Sequence, residues 1–140
     1  MIIVHSCDLS FKINLILFNK KIQENDLLVF TAKGSNYHFK NHRDFSWVKK
    51  INNTYKISLK KNFKNNKNSK VLIGTFAFKN KKIMKDLLKY TFKKKIKINN
   101  EYYMDTLIFI AQKMGYRLND LLVNKYHSWG SHPELLNYKN

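Results

Sequence analysis

"MIIVHSCDLSFK", residues 1–12, is the stretch whose reading decides the fold. An apolar run from Met1 to Val4 stops at a small-polar cluster and lands on one carboxylate, Asp8. Four or five apolar residues without polar alternation are the pattern of a strand covered on both faces, inside a sheet whose neighbouring strands already exist. Nothing before Met1 supplies those neighbours. Asp8 is the first charged group past the carboxyl end of this strand, the place where open α/β sheets bind their ligands.

Working outward, "FKINLILFNKKIQEN" carries Leu15, Ile16, Phe18 and Ile22 at helical spacing and ends in polar Gln23 to Asn25. "DLLVFTAK" reads as a second strand. The pattern then changes to alternation: "FSWVKKI" and "TYKISLKK" flank Asn52-Asn53, a pair that tolerates positive φ, which predicts a hairpin. "NFKNNKNSK" reads as polar and structureless. "VLIGTFAFK" reads as a strand with Gly74 inside it, where a missing side chain permits a bulge or the close approach of a ligand.

Asn80 caps a helix that turns Met84, Leu87, Leu88 and Thr91 inward, and a helix beginning near Glu101 has the stripe Tyr103, Leu107, Ile110, Ala111 and Met114, with Gly115 at its left-handed cap. A last strand, Arg117 to His127, leads into "WGSHPELLNY", where Ser131 and Glu134 have capping-box spacing and Pro133 lies in the first turn. Strands and helices alternate at both ends of the chain, with an antiparallel insertion between. This is the order of a mixed α/β sheet in one domain spanning residues 1–140.

The length of 140 residues and the 44% apolar content suit a globular domain with a core. No stretch reaches the roughly 20 apolar residues of a membrane helix, and no secretory signal is present, so a cytoplasmic protein without membrane contact is expected. Cys7 is the single cysteine and has no metal-ligand spacing around it. The net charge of +18 raises the possibility of a basic nucleic-acid-binding module using surface lysines and aromatics. The basic residues, however, are nearly all Lys, with only Arg43 and Arg117, and they accompany abundant Asn and Ile, the mark of composition drifting at exposed positions. Nucleic acid is therefore not the expected partner.

Among the chemistry-bearing residues, Asp8 suits a Mg²⁺ that keeps several waters and bridges to phosphates, and equally the cap of a following helix. Glu101, at a helix start, fits either the helix dipole or the acceptance of sugar hydroxyls, with Gly74 letting a backbone amide approach the same sugar. Trp129-Gly130 is a strand end meeting a helix N-terminus, and Trp129 is also consistent with core packing. His5, His38, His42, His127 and His132 show no catalytic spacing, and no GxSxG, P-loop or zinc pattern occurs.

Taken in order, "VHSCDLSF", "SLKKNF", "IGTFAFK", "NNEYYMDTLI" and "WGSHPELLNY" resemble successive segments of the sugar nucleotidyltransferases, the nucleoside-diphospho-sugar pyrophosphorylases. The resemblance starts at the family's metal-binding aspartate strand and covers its C-terminal half only. It implies a partial doubly wound mixed sheet with an antiparallel hairpin insertion, in which residues 1–8 are a central strand whose preceding strands are missing. The implied reaction joins a sugar 1-phosphate to a nucleoside triphosphate, with release of pyrophosphate and with Mg²⁺ as cofactor. By resemblance, Asp8 is the metal ligand and Lys60 the catalytic, phosphate-contacting lysine. Gly74 and Glu101 match the family's sugar-contacting glycine and glutamate, and Trp129-Gly130 the substrate-binding segment near its end. Leu59 stands where the family has a glutamate, Ser128 falls near its second metal ligand, and the glycine-rich nucleotide loop has no counterpart in these residues. The resemblance therefore implies a chain inactive alone, with an open sheet edge that a partner chain or self-association would complete.

Overall fold

The two central strands of the main sheet form where the apolar runs of the sequence are longest. The computed structural model describes residues 1–52, 54–60, 63 and 68–138. Strands β1 (Ile2–His5), β3 (Leu27–Lys33), β4 (Trp47–Ile51), β5 (Thr54–Ser58), β6 (Lys70–Phe78) and β7 (Leu118–Leu122) form a mixed sheet in the order β5-β4-β6-β3-β7. Strand β1 pairs antiparallel with Thr75 to Phe78 of β6, on the edge that β4 shares through Val71 and Lys70. The pairing of β3 with β7 is parallel. A separate antiparallel pair joins β2 (Leu9–Lys12) to β8 (Asn124–Ser128).

Period-two alternation explains why β3 is buried over six successive residues. Leu27 and Val29 enter one core, with Phe76, Phe78 and the apolar faces of α3 (Lys81–Lys93) and α4 (Met104–Lys113). Leu28, Phe30 and Ala32 enter a second core on the opposite side, with Ile73, Ala77, Leu121 and the Phe18–Ile22 stripe of α1 (Leu15–Glu24). The two-sided covering expected of residues 1–4 thus belongs to β3 and β6. In β1, burial alternates, and Ile3 is 49% exposed.

Several local expectations shift. The chain after Asp8 enters β2 before α1 begins, and the N-cap is Asn14, whose side chain accepts from the Leu17 amide at 2.9 Å. Leu15 and Ile16 face solvent, because helical spacing identifies a stripe without bounding it. Residues 117–127 form two strands in different sheets, β7 and β8. The hairpin forms with Asn52 at φ 46°, while Asn53, Lys61 and most of the polar stretch 62–70 lie outside the described residues. Asn80 caps α3 through the Ile83 amide, and Gly115, at φ +77°, ends α4. Phe92, Tyr102, Phe109 and Met114 are exposed, so not every aromatic or apolar residue faces inward.

Only Trp47 and Val48 of β4 stay paired with β6, so the β4–β5 hairpin folds over toward β7. The Tyr55 hydroxyl of β5 donates to Asn119 Oδ1 at 2.8 Å and to Asp120 Oδ1 at 2.9 Å, which curls the sheet and brings its outer strands together. Asp120 also accepts from Thr31 Oγ1 at 3.1 Å and Lys70 Nζ at 2.6 Å. Its buried carboxylate is fully engaged, as a charge in a core must be. The short helix α2 (Asn36–Lys40) follows β3, and α5 (His132–Tyr138) follows β8, its start marked by the Ser131–Glu134 capping contacts at 2.9 and 3.4 Å. No helix among the described residues is long and apolar enough to cross a membrane.

Candidate functional site

At the carboxyl end of β1 the chain turns through Ser6 to Asp8, and each step of the turn is tied to a distant element. The Ser6 amide donates to the Gly74 carbonyl at 3.2 Å. Gly74 adopts φ +71°, a conformation that disfavours any side chain, and its register shift against β3 lets β6 bulge at this point. The Asp8 carboxylate accepts from the Ser6 hydroxyl, and the Asp8 carbonyl accepts from the Trp129 amide at 2.8 Å. Gly130 then passes so close to the carboxylate that a Cβ there would stand 2.6 Å from Oδ2.

Across the cleft, Lys60 Nζ donates to the Asp44 carbonyl at 3.0 Å and lies 5.1 Å from the centroid of the Tyr103 ring. The Tyr37 hydroxyl meets Ser131 Oγ at 3.0 Å, and Ser131 in turn donates to Glu134 Oε2 at 2.9 Å. Asp105, in the first turn of α4, faces inward. Burial pushes its carboxyl above the ordinary aspartate range, against the Ser46 hydroxyl and the Lys60 charge that favour ionisation. Burial likewise raises the Tyr126 hydroxyl.

These groups line one cleft of about 700 Å³. Asp8, Asp44, Asp105 and Glu134, four of the chain's nine acidic residues, border it, and Lys60 is the one Lys or Arg of twenty-seven that does so among the described residues. Serine and tyrosine residues share the lining with the carboxylates. Such a wall offers acceptors for ligand hydroxyl groups and negative charge for cations. A second cavity of about 550 Å³, at the carboxyl ends of β3 and β7, shares Tyr37, Tyr126, Ser128 and Glu134 with the cleft and holds none of the expected site residues.

The structure brings Asp8, Lys60, Gly74 and Gly130 together on the cleft, and leaves Glu101 and Trp129 off its lining. Glu101 is exposed, and its carboxylate accepts from the Tyr103 hydroxyl. Trp129 acts through its backbone, holding the Asp8 carbonyl. Sequence reasoning missed Asp105 and Ser46. The available signal for Asp105 was a carboxylate just ahead of the wholly buried run Thr106 to Ile108.

The donor chemistry fits a hard cation in part. Asp8 offers carboxylate oxygens, Ser128 Oγ stands 3.7 Å from where a Gly130 Cβ would be, and the bare glycine leaves room beside Oδ2. No group of three or more His, Cys, Asp or Glu gathers to hold a metal among the described residues, so water and ligand oxygens would complete the shell of a Mg²⁺.

No protein-family model matches the sequence. No curated protein matches it either. Among solved structures, the fold is similar to that of a nucleoside-diphosphate-sugar pyrophosphorylase from Vibrio cholerae RC9, with a TM-score of 0.64 and 13% sequence identity. The likeness covers 84% of this chain and 48% of that one, so the chain spans about half the length of the structure it resembles. The six-stranded mixed sheet with its separate antiparallel pair is thus a nucleotide-sugar-transferase-like fold.

Proposed function

We propose that this chain carries the sugar- and metal-binding side of a sugar-phosphate nucleotidyltransferase site, which forms a nucleoside-diphospho-sugar and pyrophosphate from a sugar 1-phosphate and a nucleoside triphosphate. The observation that carries this reading is the convergence of Asp8, Lys60, Gly74 and Gly130 on a single hydroxyl-lined cleft, from segments spread over the whole sequence. Lys60 contributes the positive charge that draws the sugar phosphate inward. Gly74 brings its half-buried backbone to the cleft wall, with the Ser6 side chain packed beside it, and a sugar would lie against this pair. Asp8, supported by Ser6 and Trp129, would hold Mg²⁺, which when bound neutralises phosphate charge. In the step itself, a phosphate oxygen of the sugar forms a bond to the α-phosphorus while the bond to the departing pyrophosphate breaks. Such a transfer depends on positioning and charge neutralisation more than on a protein nucleophile.

No G-x-G segment occurs in these residues, and in this reading another polypeptide segment supplies the grip on the triphosphate. The half-exposed β1 edge is the place where added strands would join. The test is calorimetric titration with a panel of sugar 1-phosphates, with and without Mg²⁺, beside an assay of pyrophosphate release. Mg²⁺-dependent binding lost in Asp8→Ala, without turnover, supports the reading. Absence of binding, or binding indifferent to Asp8, refutes it, and robust turnover by this chain refutes its incompleteness.

A second reading has one observation of its own. Phe92 and Tyr102 are exposed, their rings 4.9 Å apart, with Lys97 Nζ 5.1 Å from the Tyr102 centroid and Lys93 to Lys95 beside them. A single-stranded nucleic acid takes such surfaces by stacking and phosphate contact. Tight RNA binding with a steep salt dependence, unchanged by Asp8→Ala and lost in Phe92→Ala, would favour it.

A further inference from the structure

Glu101, the carboxylate expected to read the sugar, stands outside the cleft with its charge engaged by the Tyr103 hydroxyl. Four residues further along, in the first turn of α4, Asp105 lines the cleft wall, partly buried. Facing it is Ser46, a residue only 3% exposed, whose hydroxyl acts on the Asp105 carboxyl and favours its ionised form, although no bond of full geometry joins them. A hydroxyl donated to Asp105 still leaves the second carboxylate oxygen and its own lone pairs on the cavity wall, and such buried acceptors are costly unless the cavity supplies their hydrogen bonds. Their capacities are complementary: the carboxylate accepts two bonds, while the hydroxyl accepts and donates. Two adjacent hydroxyl groups on a ligand satisfy them together.

We propose that Ser46 and Asp105 form a hydroxyl-reading subsite that takes a vicinal diol of the sugar, making Asp105, rather than Glu101, the residue that sets sugar specificity. This rests on the sugar-binding reading above. Lys60 supports the arrangement, because its charge favours ionised Asp105 and its ammonium, held by the Asp44 carbonyl, sits where the phosphate of the same ligand would enter. Tyr103 also lines the cleft, its ring centroid 5.1 Å from Lys60 Nζ. A site built to hydrogen-bond a hydroxyl discriminates strongly against the analogue lacking it, since its polar groups are then left unpaired.

The experiment titrates the full chain with a hexose 1-phosphate that binds, with its deoxy analogue lacking one diol hydroxyl, and with the parent neutral hexose. Asp105→Asn, Ser46→Ala and Glu101→Gln are compared with the parent chain, and Asp105→Glu serves as the conservative variant, with thermal melts to confirm folding. Asp105→Asn should weaken hexose 1-phosphate binding at least tenfold and Ser46→Ala several-fold, while Glu101→Gln stays within twofold. Asp105→Asn should cost nothing further with the deoxy ligand. Equal losses on both ligands, an unchanged Asp105→Asn, or a loss confined to Glu101→Gln overturns the subsite. Binding that needs Asp8 and Mg²⁺ but ignores Asp105 refutes the subsite and keeps the nucleotidyltransferase reading. Binding of the neutral hexose that needs Asp105 but ignores Asp8 keeps the subsite and refutes that reading. No binding of any sugar refutes both.

Discussion

Gly130 and Asp8 touch: a methyl group on Gly130 would stand 2.6 Å from Asp8 Oδ2, closer than any two such atoms can rest. The carboxylate has little room to retreat, since Ser6 holds its other oxygen and the Trp129 amide fixes its backbone. Gly130→Ala should therefore leave the fold standing at a cost of about 1–3 kcal/mol for the overpacked atoms. Displacing the Asp8 oxygens should weaken divalent-cation binding about tenfold, about 1.4 kcal/mol. Titration with Mg²⁺, read by amide chemical shifts around Asp8, checks this, and an unchanged affinity would show that Asp8 is not a ligand.

Lys60 should matter for the phosphate and little for the sugar. Its ammonium is the one Lys or Arg charge lining the cleft among the described residues. Lys60→Met, which keeps most of the apolar stem, should lower affinity for a sugar 1-phosphate about tenfold, as loss of a charged hydrogen bond does, and leave the neutral sugar nearly unaffected. Equal losses for the two ligands would assign Lys60 a structural role.

The Asp120 carboxylate joins strands from opposite sides of the sheet, through Tyr55, Thr31 and Lys70. Burial alone would raise its pKa, but the hydrogen bond and charge of Lys70, with the Tyr55 and Thr31 hydroxyls, hold it below the usual aspartate value. Asp120→Ala strands these partners and should cost about 3 kcal/mol in urea denaturation. Lys70→Met should cost about 1 kcal/mol or less, because the Lys70 side chain is 36% exposed and its pair is screened by water. Equal effects would mean that the ion pair, and not the hydroxyl network, dominates.

His38 gives the molecule a pH-dependent stability with a definite sign. Burial lowers its pKa below 6.5, the Glu134 charge opposing, and its Nδ1 accepts from the Ser35 amide at 3.1 Å. The unfolded chain binds a proton more readily than the folded one, so the contribution of neutral His38 is complete above the unfolded pKa and is lost as pH falls through and below about 6.5. Melting temperature should drop from about pH 7 to pH 5, and less steeply in His38→Gln, which keeps a capping-box residue opposite Ser35 but cannot titrate. Parallel profiles for the two proteins would exclude His38 as the source.

What could be read from the residues alone was local. The Asn80 cap, the Gly115 terminator, the hairpin at Asn52 and the bulge-permitting Gly74 each depend on a preference expressed within a few positions. Apolar runs placed β3 and β6 for the same reason. The misplacements arise where a distant partner decides. Residues 9–12 are a strand because β8 pairs with them, and residues 117–127 divide because β7 joins one sheet and β8 another. The site followed the same rule. Asp8, Lys60, Gly74 and Gly130 line one cleft, whereas Glu101 lies ahead of α4 in a bridge with Ile98, off the cleft, and Asp105 in the first turn of α4 lines it. Spacing alone did not show that the helix begins at Met104, three residues after Glu101.

The antiparallel contact of β1 with β6, sealed by His5 Nδ1 and Thr75 Oγ1 at 2.8 Å across seventy positions, also sets a schedule. On an emerging chain, residues 2–5 have no partner until residues 75–78 have been made, and β3 waits still longer for β7. Closing loops of that length slows folding relative to locally paired topologies. Within these residues, the apolar segment Ile2–Val4 therefore stays unpaired until β6 follows, and an unpaired apolar strand is a site where chaperones or other copies can attach before the cleft exists.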